Sequence, residues 1–304
     1  MKTSVVVVSK DEPTLGDTLD ALRAYQGADG LLDEVVVVDA SEGRLDDVRR
    51  SHPEVVWRDY VQPAGIGVTI SHQRNIGVAT ATGDVVVFTD SGCVFDESWL
   101  PRLLAPLREE GESVTCGPAR ARESSVYSGA RWWGSTQEKY VPACSTINLA
   151  FTRAAFDAVG GFDETFGAGE DLDFSWRLVD RGYQLRWVAD AVVRHEWGDL
   201  RRQLRRSYLY GIGWVRLYRK HPSRIPAGIR SNPVPLVYPL YLLGLPLTLR
   251  YRAYPLLLLL PLWRSRKEEL PMRVVVDHLV LGVGVLAELG RMGGGASARR
   301  RAHP

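Results

Sequence analysis

Val85-Val86-Val87-Phe88-Thr89-Asp90-Ser91-Gly92 decides the reading of this chain. Four apolar residues, mostly β-branched, lead through a threonine to a carboxylate. A continuous apolar run of this length is the pattern of a strand buried on both faces in a parallel sheet. Asp90 then stands where the strand leaves the sheet. Open α/β sheets bind ligands at the carboxyl ends of their strands, so a carboxylate there is placed to meet a ligand or a metal. Asp, Ser and Gly together are also an ordinary turn composition, and this stretch alone does not separate the two.

The flanking sequence repeats the theme. Ser4–Val8 and Val35–Val38 are Val-rich runs, and Thr14–Tyr25 between them has helical spacing, with Leu15, Leu19 and Leu22 on one face. Val55-Val56 follows a short polar helix. After the Pro- and Gly-bearing loop Gln62–Gly67, Ile70–Thr80 reads as a helix feeding Val85. Downstream come a helix (Trp99–Leu107), a strand (Ser113–Cys116), a long aperiodic polar loop (Gly117–Tyr140) and a strand (Thr146–Thr152). Two helices (Arg153–Val159, Glu170–Arg181) and a strand (Leu185–Val188) close the series, and the pattern stops near Ala189. Strands separated by single helices mean βαβ units and a mostly parallel sheet.

The chain has 304 residues, 45% hydrophobic and 24% charged, enough for one large domain with an appendage. Its net charge of +2 points to no polyanionic partner, so no nucleic acid is expected. The charge is unevenly spread. Arg194–Arg230 holds ten basic residues against two acids, Glu196 and Asp199, a composition suited to anions or a membrane surface. Three scattered cysteines, Cys93, Cys116 and Cys144, favour neither a disulfide framework nor a zinc site. With no apolar signal segment ahead of the first strand, a cytoplasmic location is expected. Beyond Asn232 lie three apolar stretches, Val234–Leu249, Ala253–Trp263 and Val274–Leu289. Each is shorter than the roughly 20 residues a straight spanning helix needs, and prolines interrupt the first two. The Gly-, Ala- and Arg-rich tail Gly293–Pro304 is expected to be disordered.

Two nucleotide motifs are missing: a Gly-x-x-x-x-Gly-Lys-Ser/Thr loop, and a Gly-x-Gly-x-x-Gly after the first strand. Four features remain. Ser9-Lys10-Asp11-Glu12 and Asp39-Ala40-Ser41 put polar groups at the carboxyl edge, either to meet a nucleotide or to cap helices. Arg74, in Ser71–Asn75, offers a fork of donors suited to phosphate. Asp90 and its turn are the third. The fourth is Gly160-Gly161-Phe162-Asp163-Glu164, followed by Gly169-Glu170-Asp171 and by Asp173, Phe174 and Arg177. Carboxylates opening a helix are kept ionised by its dipole, as a general base must be.

Taken in order, Val5–Glu12, Val35–Ser41, Arg74–Gly77, Gly83-Asp84, Phe88–Asp90, Asn148, Gly160–Phe166, Gly169–Asp171 and His195 resemble a family-2 glycosyltransferase of the GT-A fold. The resemblance covers roughly residues 1–200. It implies an α/β fold with a Rossmann-like sheet and an inverting transfer of a sugar from a nucleotide-diphosphate sugar to a hydroxyl acceptor, either lipid-linked or saccharide. It implies that Ser9, Asp11 and Asp39 line the nucleoside pocket and that Arg74 lies near the diphosphate. Asp90 matches the first carboxylate of the family's Asp-x-Asp metal motif, His195 a metal or phosphate contact, and Asp171, with Glu170 beside it, the catalytic base. Asn148, Trp132 and Trp133 are candidates for acceptor or sugar contacts, with core packing an equal reading for the two tryptophans.

The chain departs from the family pattern at two places. Ala40 stands where a second polar residue is usual, and Gly92 replaces the second Asp of Asp-x-Asp. The expected cofactor is therefore a weakly held divalent metal, Mg2+ or Mn2+, sharing its shell with substrate. Asp96 is a poorly spaced substitute ligand. Gln203-Leu204-Arg205-Arg206-Ser207 is loosely similar to the Gln-x-x-Arg-Trp motif of processive members, with Ser207 in place of the Trp. The expected layout is a catalytic domain over 1–200, a basic amphipathic segment over 201–231, an apolar helical region over 232–292 and the tail. The apolar region is expected at the cytoplasmic face of the cell membrane, with a soluble helical subdomain or a homodimer interface as the competing reading. Two rivals on function stay open: a polyprenyl-phosphate sugar synthase, and a non-catalytic binder of nucleotide sugars.

Overall fold

The computed structural model describes residues 1–26, 30–64, 70–122, 138–266 and 270–301. It divides into two compact units, Met1–Gly198 and Asp199–Pro304.

The first unit contains β1 (Thr3–Ser9), α1 (Leu15–Arg23), β2 (Glu34–Asp39), α2 (Asp46–Ser51), β3 (Val56–Asp59), α3 (Ile70–Thr80) and β4 (Val85–Asp90). It continues through β5 (Cys93–Phe95), α4 (Trp99–Glu109), β6 (Val114–Cys116), β7 (Ala119–Ala121) and β8 (Asn148–Thr152). It ends with α5 (Arg153–Val159), α6 (Glu170–Asp180), β9 (Arg186–Trp187) and β10 (Val193–His195). Seven strands form one sheet in the order β3-β2-β1-β4-β8-β6-β9. All neighbours are parallel except β8, which runs antiparallel to both β4 and β6.

The valine runs explain the centre of this sheet. Val5, Val7, Val35, Val37, Val85 and Val87 face one side and pack against leucines of α1 and α4. Val6, Val36, Val38, Val86 and Phe88 face the other, against α3, α5 and α6. Helices on both faces require both sets of side chains to be apolar, which removes the alternation of a half-exposed strand. Gly77 lets α3 approach closely: a Cβ there would lie 2.3 Å from Val6 Cγ1. Any side chain at this position would push α3, and Arg74 with it, off the sheet.

The α/β pattern does not stop near Ala189. β10 follows and forms a second sheet of order β5-β10-β7. Three-residue strands are too short to show a period, so neither β5 nor β7 stands out in the sequence.

The second unit is helical: α7 (Leu200–Lys220), α8 (Ile225–Ser231), α9 (Val234–Leu243), α10 (Leu259–Arg264) and α11 (Pro271–Arg301), with 3-10 turns over Leu245–Leu249 and Tyr254–Leu258. α7 packs on α11 through a polar seam. Gln203 Nε2 donates to Asp277 Oδ2 at 3.4 Å, and Ser207 Oγ to Asp277 Oδ1 at 3.3 Å. Gln203 and Ser207 therefore belong to the buried face of α7, and that face is used up inside the unit. α11 continues to Arg301, through most of the tail expected to be disordered. Among the described residues no helix is long and apolar enough to cross a membrane.

Candidate active site

The parallel register sets the site. Ser9 pairs with Asp39 across β1 and β2, and Val8 with Asp90 across β1 and β4. Ser9, Asp39 and Asp90 thus end three adjacent strands along one edge. The connections from β1 and β3 leave in opposite directions, so the crevice between β1 and β4 is the switch point where open α/β sheets take ligands.

On the β2 side, Ser41 does the organising. Its Oγ donates to Asp39 Oδ1 at 2.5 Å and accepts from the Asp11 backbone N–H at 2.7 Å. Burial raises the pKa of Asp39 above the usual carboxylate range, against the hydrogen bonds from Ser41. Asp11 has φ +56°, a left-handed conformation uncommon outside glycine that marks a position held for a purpose. Arg44 Nε donates to Asp11 Oδ1 at 2.6 Å and lowers the Asp11 pKa. Ser9 is buried, and its Oγ has no hydrogen-bond partner among the described residues. Ser41, read from the sequence as an edge or capping residue, instead ties Asp39 to Asp11, and Arg44 drew no role from the sequence. The tight Asp-x-Ser spacing was the available sign for Ser41, and nothing local marks Arg44.

On the β4 side, α3 delivers Arg74 into the protein. Its side chain is 4% exposed, and its guanidinium pairs with Glu170 Oε1 through Nη1 and reaches 3.7 Å from Asp90 Oδ1 through Nη2. The rings of Phe88 and Phe162 lie 5.9 and 5.8 Å from it. Next to it, Asn75 binds the Gly160–Glu164 turn: Nδ2 donates to Phe162 O and to Glu164 Oε1, and Oδ1 accepts from Phe162 N–H, each at 2.9 Å. Ser71 Oγ donates to Phe166 O at 2.9 Å. One helix face thus fastens the acidic segment to the sheet edge and places Glu170 and Asp171 in the first turn of α6. Asp171 Oδ1 accepts from the Leu172 N–H at 2.8 Å. Burial, then the neighbouring Glu170 charge, raise the Asp171 pKa from 3.8 to about 7, against the pull of Arg74.

Asn148 is not available to an acceptor. It is fully buried; Nδ2 donates to Pro118 O and Ala191 O at 3.1 and 2.7 Å, and Oδ1 accepts from Trp99 Nε1 at 2.9 Å. Its amide is spent tying β8 to the segments after β6 and β9, which corrects the sequence expectation. Trp132 and Trp133 lie outside the described residues.

For a metal, the chain offers Asp90, with a side chain 35% exposed, and His195, whose strand pairs His195 with Cys93 just past the Asp90 turn. Gly92 sits at φ +84°, and its N–H donates to Thr18 Oγ1 at 2.9 Å. A Cβ there would lie 3.0 Å from Thr14 Oγ1 and 3.9 Å from Glu196 Cβ. The missing carboxylate therefore reflects a turn shaped for glycine. Among the described residues no three His, Cys, Asp or Glu gather to hold an ion. Divalent cations such as Mg2+ take about six ligands, mostly oxygen, so these residues suit an ion completed by a diphosphate and water. Asp96 is instead 3.6 Å from Arg194.

The sequence profile of Glycosyl transferase family 2 matches residues 4–162, and that of Glycosyl transferase family group 2 matches residues 121–266. The chain is 32% identical over 169 residues to the pre-mycofactocin glycosyltransferase of Mycobacterium tuberculosis, covering 50% of this chain and 35% of that protein. It is 24% identical over 274 residues to the validoxylamine A glucosyltransferase of Streptomyces hygroscopicus subsp. limoneus, covering 73% and 57%. The chain thus spans between about a third and just over half the length of these relatives. In structure it is similar to a mannosyltransferase from Pyrobaculum calidifontis in complex with GDP-Man and Mn2+, with TM-score 0.69 and 19% identity, over 95% of this chain and 87% of that one. GalNAc-T7 with UDP, GalNAc and Mn2+ gives TM-score 0.53 and 19% identity, over 70% and 50%. At such identity the likeness is one of fold.

Proposed function

The chain belongs to glycosyl transferase family 2, and from that footing we propose that it transfers a sugar from a nucleotide-diphosphate sugar to an acceptor hydroxyl, with inversion, at the cytoplasmic face of a membrane. The observation that carries this reading is Arg74. A buried cation reaches from Glu170 to Asp90 at the carboxyl edge of the sheet, and Asp171 opens the helix beside it.

In this reading the nucleoside lies along Ser9, Asp11 and Asp39, and Arg74 faces the diphosphate. Asp171 accepts the proton as the acceptor oxygen bonds to the anomeric carbon. The bond from that carbon to the diphosphate breaks, and the nucleoside diphosphate leaves with the electron pair. A base with a pKa near 7 suits this step, because about half of it is ionised at neutral pH and that form takes a proton readily. A divalent cation held by Asp90 and His195 would neutralise charge on the leaving diphosphate. The Mn2+ in both structural relatives supports that part.

The test is a thermal-shift screen of UDP-, GDP- and dTDP-sugars, with and without Mn2+, followed by measurement of nucleoside diphosphate release with acceptor. At least one donor should raise the unfolding temperature and be turned over. Absence of any shift would sink the donor reading. A shift with no turnover on either lipid-linked or saccharide acceptors would favour a non-catalytic binder.

A further inference from the structure

Between Leu200 and Arg266 there is no Asp or Glu, while thirteen Lys and Arg are present. In the second half of this run the second unit leaves large apolar side chains in the open: Leu240 is 57% exposed, Leu249 93%, Leu256 59%, Leu260 61% and Trp263 60%. Soluble surfaces rarely expose so many large apolar side chains on elements packed against one another, and such exposure marks a place of interaction. These residues sit on α9, the two 3-10 turns and α10, all short and each containing a proline: Pro239, Pro246, Pro255 and Pro261. At 1.5 Å per residue α9 is about 15 Å long, half the roughly 30 Å hydrocarbon core.

We propose that this face is an in-plane anchor that seats in one leaflet of an anionic bilayer without crossing it. The proposal deepens the membrane-surface reading above and rests on it. Three observations choose the occupant. The backbone between the pieces is irregular, and irregular backbone exposed to lipid is excluded from the hydrocarbon centre but not from the headgroup level. Arginine and aromatic side chains alternate there: the Arg266 guanidinium lies 4.2 Å from the Trp263 ring centre, and that of Arg250 lies 5.5 Å from Tyr251. Such pairs belong where an apolar layer meets anionic headgroups. Finally, a second copy of the same face is a poor partner, because two acid-free basic segments would meet with no carboxylate of their own to pair.

The full chain should float with sealed vesicles of phosphatidylcholine and phosphatidylglycerol (7:3) at least tenfold better than with phosphatidylcholine alone. The triple variant L256Q/L257Q/L260Q alters only exposed side chains. It should lose flotation severalfold while keeping its helical content and its donor-induced thermal shift. Topology is read with R252C and S223C, labelled by a membrane-impermeant maleimide; the native Cys93, Cys116 and Cys144 are buried. Both introduced cysteines should react from outside sealed vesicles. If R252C reacted only after detergent, the segment would cross, overturning the in-plane anchor but sparing the membrane reading. No flotation on either vesicle, with a dimer in solution that the triple variant splits, would overturn both in favour of a second copy.

Discussion

Arg74 on α3 donates to Glu170 on α6, 96 positions later in the chain, and both side chains are at least nine-tenths buried. Removing one partner of such a pair leaves a buried charge uncompensated, typically at a cost of about 3–5 kcal/mol. Glu170→Gln is therefore expected to destabilise by roughly 3 kcal/mol in urea unfolding. The double variant Arg74→Met, Glu170→Leu should recover most of that stability and yet bind no donor. If Glu170→Gln were neutral in urea, the pair would not hold the site together.

Asp171→Asn keeps the shape of the proposed base and removes its basicity. Turnover should fall about a hundredfold or more, with donor affinity unchanged. The same variant should unfold at a higher temperature at pH 8. A carboxyl whose pKa rises on folding, here from 3.8 to about 7, loses stability as pH climbs through that interval, and Asn does not. Retained turnover would move the base to Glu170 or Asp173.

The pH dependence of kcat/KM follows from the same shift. Below about pH 7 Asp171 is protonated and cannot accept a proton, so the rate should fall tenfold per unit there and level off above. Glu170→Gln removes the adjacent negative charge. The acid limb should then move to lower pH, and a limb that stayed in place would break the assignment.

Asp90→Ala should abolish metal-dependent donor binding, read by calorimetry with Mn2+ and a nucleoside diphosphate, because Gly92 offers no second carboxylate. The family-like repair, Gly92→Asp, is expected to lower the unfolding temperature. It places a side chain at φ +84° with its Cβ 3.0 Å from Thr14 Oγ1, and left-handed backbone costs a non-glycine residue about 1–2 kcal/mol. Full activity in a strong chelator would show that the site works without a metal.

Asn148→Ala should cost about 1–3 kcal/mol for the groups left unsatisfied. The acceptor KM of the folded fraction should stay unchanged. A rise in KM at unchanged stability would return Asn148 to the acceptor site.

The central sheet and its helices were legible because Val85–Asp90 and its neighbours are continuous apolar runs, and because Ile70–Thr80 and Arg153–Val159 begin and end on clear breaks. The edge residues Ser9, Asp39 and Asp90 were legible for the same reason: a buried strand announces where it stops. The role of Asn148 was not, since a buried amide and a ligand-binding one look alike in one dimension. β5, β7 and β10 are too short to carry a period. Arg74 was visible as a cation, but its partner came from a segment 96 residues away, where only contact could pair them.

That separation bears on how the chain is made. Synthesis proceeds at roughly 5–20 residues per second, so Arg74 leaves the ribosome about 5–20 s before Glu170. Over that interval β1–β4 can assemble, but seating α3 would bury a guanidinium with no full counter-charge. The nascent half-sheet should keep α3 loose until α6 arrives, so the candidate site closes last and all at once.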